Sequence, residues 1–350
     1  MSAIRRRPKH ALVVVLLAVG VLALAACTPG HEQSTFDATG PIARSQLVLF
    51  YWIFWTAVFV FVVVEGVLLY AVIKYRRRPG DGDPPQTHGN TPLEIGWTVV
   101  PAIVLAIVAV PSVATIFDNA NVPENASLSV EVVGHQWWWE FNYPDLGLKT
   151  SNELHIPKDE VVAVQLLSKD VIHSFWIPKI AGKLDMVPNS PNNMWLMGEK
   201  SGEFAGQCAE FCGESHANMR FRVIVEPRAE FDAWVAAQMA PAAIPVEPLA
   251  AEGLALFEGD AQCWACHKVE GSKRARSSVG PNLTHVASRT HLAAGIMDNT
   301  QQNMRRWLED NCNAKPGNFM CKGARIYQDP DHALKESEVS ALVAYLRSLK

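Results

Sequence analysis

The segment Cys208-Ala-Glu210-Phe-Cys212-Gly-Glu-Ser-His216-Ala-Asn-Met219 places two thiols, an imidazole and a thioether on one short stretch of chain. Soft sulfur together with imidazole selects copper, and Cys, His and Met are the ligand set of copper electron-transfer sites. One cysteine would suit a single ion, whereas two thiolates this close in sequence can bridge two ions on one tight loop. A second imidazole is then required, and His173 in Val171-Ile-His173-Ser-Phe-Trp-Ile-Pro178 can supply it from an upstream strand end. The alternative is a disulfide between Cys208 and Cys212 beside an unrelated histidine. Four soft ligands in this order in an exported chain weigh against it.

A second chemical motif lies further on. Cys263-Trp-Ala-Cys266-His267 is the C-x-x-C-H pattern of covalent c-type haem attachment, in which the two thiols form thioethers and the adjacent imidazole is placed to ligate iron. The competing reading is a zinc site from Cys263, Cys266, Cys312 and Cys321, which would leave His267 without a role. The opposite axial ligand has to come from Met297, Met304 or Met320. Met320 is preferred, because Lys315-Pro316-Gly317-Asn-Phe-Met320 reads as a downstream loop able to cross the distal face. Met/His ligation raises the reduction potential, which suits a donor.

These motifs, in this order, resemble cytochrome c oxidase subunit 2 of the bacterial type that carries a fused C-terminal cytochrome c domain. The resemblance implies a binuclear copper (CuA) centre bridged by Cys208 and Cys212, with His173 and His216 as terminal ligands, Met219 as a weak ligand and the backbone carbonyl of Glu210 as the last. It further implies a magnesium ion bound by the Glu210 side chain at the contact with oxidase subunit 1. Gly280-Pro281-Asn-Leu283 is similar to cytochrome c domains in which that proline carbonyl orients the proximal histidine, and the Met320 segment is similar to their methionine loop. In Gly134-His135-Gln136-Trp137-Trp138-Trp139, Trp137 matches the surface tryptophan through which the family admits electrons from a cytochrome c. Three adjacent indoles cannot all be core, since successive strand side chains face opposite ways.

The elements that must position these residues follow from composition and periodicity. With 350 residues, two or three domains are expected, and a formal charge of −4 argues against nucleic acid as a partner. Residues 1–26 carry the basic and apolar regions of an export signal. The sequence Leu24-Ala25-Ala26-Cys27 resembles a lipobox, which would make Cys27 the lipidated first residue of the mature chain. Two apolar runs, Leu47 to Ile73 and Ile95 to Phe117, each exceed the roughly 20 residues of a membrane span. The basic cluster from Lys74 to Arg78 between them marks a cytoplasmic loop. Residues 40–120 are therefore a transmembrane helical hairpin whose ends face outward. Glu94, at the cytoplasmic start of the second helix, is by physics alone a solvated interfacial charge; the resemblance makes it the mouth of a proton pathway into subunit 1.

Residues 121–238 read as a cupredoxin-like Greek-key β-sandwich, because β-branched runs such as Leu128–Val133, Val161–Leu167 and Phe221–Val225 are bounded by turn residues. A Pro/Ala linker occupies 239–250 and should be semi-rigid and extended. An all-α cytochrome c domain fills 251–350, closed by a helix with Val339, Leu342, Val343 and Leu346 on one face. Of the seven cysteines, five are assigned to lipid, copper and haem, so Cys312 and Cys321 remain for a disulfide in an oxidising compartment. The expected protein is an electron-transferring oxidase subunit in a bacterial plasma membrane, its large domains on the periplasmic face. Its implied partners are subunits 1 and 3 and a donor, either a cytochrome c or a quinol:cytochrome c reductase. A nitrous oxide reductase and a copper-delivery protein are the alternatives, disfavoured by the lack of a propeller-sized region and by the haem motif respectively.

Overall fold

The structure, a computed structural model, describes residues 30–350 together with 14–15 and 18–20. The export-signal reading and Cys27 lie outside the described residues, apart from those two short pieces.

Helices α1 (Pro41–Lys74) and α2 (Thr91–Ala120) form the hairpin, and apolar side chains cover them on all sides. Such a surface is stable only in a hydrocarbon environment, where all backbone groups must be paired internally as a helix pairs them. At the outward end Ser45 Oγ donates to Asn119 Oδ1 at 3.1 Å, joining the two helices. There Ile42 and Ala43 are buried, and Thr39 donates its N–H to Lys179 O at 2.6 Å. The hairpin is thereby fixed to the sandwich that follows it. At the other end Asn90 caps α2 by accepting from Leu93 N, while the exposed Glu94 carboxylate accepts from Asn90 N at 3.1 Å.

The sandwich has ten strands in two sheets. Strands β1 (Leu128–His135), β2 (Trp138–Tyr143), β3 (Leu148–Ser151), β5 (Val162–Ser168) and β8 (Asn192–Leu196) form one sheet in the order β3-β2-β1-β5-β8. The other is β4-β10-β9-β6-β7, from β4 (Glu153–Pro157), β6 (His173–Trp176), β7 (Lys183–Met186), β9 (Gly202–Cys208) and β10 (Arg220–Glu226). The β1/β5 and β4/β10 pairs are parallel and the remainder antiparallel. Alternating residues fill the space between the sheets. Trp139, Phe141, Phe175 and Phe221 meet there with no exposure, and the Phe175 and Phe221 rings stack at 4.7 Å. This aromatic block lies directly beneath the copper-type loop, because β6 begins at His173 and β9 ends at Cys208.

Helix α3 (Arg228–Met239) closes the sandwich, and α4 (Pro248–Glu258) opens the C-terminal domain. The non-helical connection is thus only residues 240–247, shorter than the 239–250 span expected from its composition. Pro248 explains the difference, since proline at the first helical position is preset for the helix. Helix α4 crosses α8 (Glu336–Ser348) closely, and a Cβ on Gly253 would strike the Ala341 carbonyl. Helices α5 (Gln301–Ala314), α6 (Phe319–Gly323) and α7 (Arg325–Gln328) complete the domain, with one two-residue strand pair, β11 (His291–Leu292) and β12 (Met297–Asp298), added to the all-α expectation. A disulfide joins Cys312 and Cys321 across a sequence separation of 9. A loop of that size restricts the unfolded chain by about 2–3 kcal/mol on the chain-entropy account.

Candidate metal and haem sites

The ends of β6 and β9 and the start of β10 bring the six copper-type donors together. Cys208 Sγ and Cys212 Sγ are 3.8 Å apart, close enough for both to bind the same ions. His173 Nδ1 is 3.8 Å from Cys208 Sγ, and His216 Nδ1 is 3.6 Å from Cys212 Sγ. Met219 Sδ is 3.8 Å from Cys212 Sγ, and the Glu210 carbonyl oxygen is 3.2 Å from Cys208 Sγ. The two imidazoles therefore flank the sulfur pair, with one weaker donor on each side. This donor set fits a thiolate-bridged pair of soft metal ions. The hydrogen bond shared by the two sulfurs lowers the pKa of Cys208 and raises that of Cys212. Metal ions bind both sulfurs as thiolates, so loading the site would release protons.

Two supporting residues escaped the sequence reading. Asp170 Oδ1 lies 2.8 Å from His173 Nε2, so the ring donates there and presents Nδ1 to the sulfurs. Asp170 also accepts from Gln136 N at 2.7 Å, tying the ligand to the β1–β2 turn. Its spacing three residues before His173 was the available signal. Gly134 is the other: a Cβ there would stand 2.8 Å from His173 Cδ2. No pattern in the chain marks it, because the close approach is between two sheets.

Trp137 is not a surface residue. Its side chain is buried, and its Nε1 donates to the Cys212 carbonyl at 3.1 Å. What covers it is the cytochrome domain: Lys315 Nζ donates to Trp137 O at 2.6 Å, and Gly317 packs against the indole. Trp139 is sandwich core, and Trp138 is half-buried with its indole stacked on His135 at 4.1 Å. Glu210 is exposed beside the equally exposed Phe211, while its backbone carbonyl faces Cys208 Sγ.

The C-terminal domain encloses a mostly apolar cavity walled by Cys263, Cys266, His267, Met304, Met320 and, from the sandwich, Trp137. Neither Cys263 nor Cys266 is in a disulfide, which leaves both sulfurs for attachment. His267 Nδ1 donates to Pro281 O at 2.8 Å, which leaves Nε2 as the nitrogen available to a metal. Burial lowers the His267 pKa, favouring the neutral ring that a metal requires. The wall is thus suited to a flat apolar macrocycle with two thioether anchors and an imidazole on iron. Met297 does not contribute to the wall, whereas Met304 and Met320 both do. Met320 sits on the short helix α6, capped by Asn318 accepting from Cys321 N at 2.8 Å, and not in the open loop expected from Pro316 and Gly317. Met304 belongs to α5 and to the domain core, where it is nearly fully buried.

Gly280 is held against the proximal ring: a Cβ there would lie 2.9 Å from His267 Cε1 and 3.0 Å from Nδ1. Gly280→Ala is therefore expected to tilt the imidazole and weaken its bond to Pro281. The check is the low-temperature spin-resonance spectrum of the oxidised protein, where the variant should show a displaced or heterogeneous low-spin haem signal.

Comparison with known proteins gives a consistent placement. Residues 30–115 match the family described as cytochrome c oxidase subunit II, transmembrane domain; residues 146–226 match its periplasmic domain; residues 250–350 match cytochrome c. Cytochrome c oxidase subunit 2 of Alkalihalophilus pseudofirmus is 39% identical over 342 residues, covering 94% of each chain. That of Bacillus subtilis is 36% identical over 98% of each chain. Among solved structures, the periplasmic domain of subunit II of cytochrome oxidase from Bradyrhizobium japonicum is 34% identical, covers 34% of this chain and 96% of that one, and superposes with a TM-score of 0.33. The chain, a two-helix membrane hairpin followed by a periplasmic β-sandwich and a cytochrome c domain, belongs to the cytochrome c oxidase subunit II family.

Proposed function

We propose that this chain receives electrons at its cytochrome domain and delivers them, through the loop from Cys208 to Met219, to subunit 1 of a haem–copper oxidase, where oxygen is reduced to water with proton translocation. In this reading Cys263, Cys266, His267 and Met320 hold one covalent haem c, and His173, Cys208, Glu210 (by its carbonyl), Cys212, His216 and Met219 hold two copper ions. Both groups supply reversible one-electron transfer.

The observation that carries the reading is the position of Trp137. Its indole forms part of the haem-type cavity wall and at the same time donates to the carbonyl of Cys212. A single side chain thus bridges the two sites through a hydrogen bond and one residue of backbone. Around it the aromatic block of the sandwich and the Asp170 hydrogen bond hold the ligand side chains in fixed geometry. Fixed donors leave little to rearrange when charge arrives, and that favours fast transfer. Pro281 and Gly280 do the same for His267.

Two further assignments belong to the same reading. In it the side chain of Glu210, which is exposed, binds magnesium jointly with subunit 1, and Glu94, exposed at the start of α2, stands at the mouth of a proton pathway; exposure leaves both free for such partners. The assembly would include subunit 3 and take electrons from a cytochrome c or a quinol:cytochrome c reductase. The electronic spectrum of the purified, copper-loaded chain tests the core of the proposal. A purple dicopper absorption together with c-type haem bands is expected. Haem bands with no copper signature would overturn it, and copper without haem would favour a copper-delivery protein.

A further inference from the structure

Electron transfer between the two domains depends on how they are held, and contacts outside the connection of residues 240–247 join them directly. Two buried ionisable side chains reach across the boundary in opposite directions. Glu153, at the start of β4 in the sandwich, is 4% exposed. Its Oε1 accepts from Thr290 N at 2.6 Å, Thr290 Oγ1 at 2.8 Å and His291 N at 3.2 Å, all in the cytochrome domain. Lys315, between α5 and α6 of the cytochrome domain, is 3% exposed. Its Nζ donates to Trp137 O in the sandwich at 2.6 Å and to Ala293 O at 3.1 Å.

A buried charge without partners is strongly disfavoured, so the boundary can close over these side chains only in the pose where the other domain supplies their hydrogen bonds. Glu153 has His155 on its inner side at 3.9 Å, and that ring is held by Glu226 at 2.9 Å and stacked on Trp234. The carboxylate is thus positioned from behind. On the opposite face Ala293, Ala294 and Gly295 all have positive φ, at 54°, 63° and 78°. Two consecutive non-glycine residues in the left-handed region persist only where surrounding contacts dictate them. Here the carbonyl of Ala293 takes Lys315, and that of Ala294 accepts from Arg220 N in the sandwich at 3.1 Å. The strained turn is shaped to the interface.

From this geometry we infer that Glu153 and Lys315 are positioning residues that latch the cytochrome domain in one docked pose on the copper loop, with its cavity closed against Trp137. The inference rests on the reading of that cavity as the haem site. It carries a consequence for partners: a soluble c-type cytochrome finds Trp137 already covered and meets the cytochrome domain instead.

The test uses the full chain in the assembled oxidase, with E153Q, K315M and the double variant. K322A serves as the comparison: it removes the ion pair from Lys322 to Glu214 at 3.6 Å across the same boundary, but both partners are exposed, and an exposed pair contributes little. In the wild type, amide hydrogen exchange at Thr290 and His291 should be slow, and internal haem-to-copper transfer after flash reduction should follow a single exponential. In E153Q and K315M, exchange at those amides and proteolytic cleavage within 240–247 should rise by about tenfold or more, the scale of losing one buried charged hydrogen bond. Internal transfer should become multiphasic, and copper reduction should acquire a phase that depends on the concentration of added soluble cytochrome c. K322A should match the wild type.

Fast exchange at Thr290 and His291 in the wild type would overturn the latch without recourse to any variant. So would unchanged exchange, cleavage and kinetics in the double variant with both optical spectra intact. If the wild type itself lacks the dicopper or haem spectrum, the functional reading fails, while slow exchange at the two amides would still support a fixed docked pose.

Discussion

Cys212→Ser is expected to abolish the dicopper absorption while leaving the c-type haem bands unchanged. Cys212 Sγ is in contact with Cys208 Sγ, His216 Nδ1 and Met219 Sδ at 3.6–3.8 Å, so it joins the sulfur pair to one imidazole and the thioether. A serine hydroxyl is a hard donor that does not ionise at neutral pH, so it cannot bridge two soft ions. At most a single ion would remain on Cys208 and the histidines, with a blue or green absorption in place of the purple one. Cys263 and Cys266, the thiols proposed to hold haem, lie in the other domain, whose core is a separate cluster. Metal analysis and optical spectra of the same preparation check both halves of the result. Loss of both signals together would mean that the domains do not acquire their cofactors independently.

Trp137→Ala is expected to slow copper reduction by the chain's own haem while leaving haem reduction by an external donor unchanged. The indole fills the space between the cavity wall and the Cys212 carbonyl, and truncation removes both the bridge and the hydrogen bond at 3.1 Å. The slowing should be on the order of tenfold to a hundredfold, as when reacting groups lose close positioning. Stopped-flow absorbance at the two centres separates the steps, and dilution of the protein should not alter the internal one, because tethered partners react as one molecule. Reduction of the mutant's copper at the wild-type rate would remove Trp137 from the path while leaving the ligand assignments in place. The K315M variant distinguishes the indole from the docking: it disturbs the pose with Trp137 still present.

The ligand-bearing segments were legible because metal chemistry constrains residue type at short range. Two thiols, an imidazole and a thioether between Cys208 and Met219, or two thiols and an imidazole between Cys263 and His267, need no knowledge of the fold to be recognised. The membrane hairpin was legible for a comparable reason, since a bilayer demands long uninterrupted apolar runs, and α1 and α2 extend only a few residues beyond those read from hydropathy. Two strands followed from β-branched runs bounded by turn residues: β5 and β10 begin and end within a residue of the runs that suggested them.

What surrounds the ligands was decided by tertiary structure. Gly134 is required because β1 passes close to the ring of His173, and Gly280 because its loop lies on the ring of His267; neither contact leaves a periodicity. The sequence reading put Trp137 on the surface, because it matches the surface tryptophan of the family's aromatic segment. Its burial depends on Lys315, 178 residues away in sequence, and on a second domain fitted over it. Glu153 and Thr290 are likewise 137 residues apart, and each alone reads as an ordinary polar residue. Local patterns encode which atoms can bind a metal. The pairing of distant polar groups across a domain boundary is set by shape and hydrogen-bond complementarity between two finished surfaces, and only the folded chain brings those surfaces together.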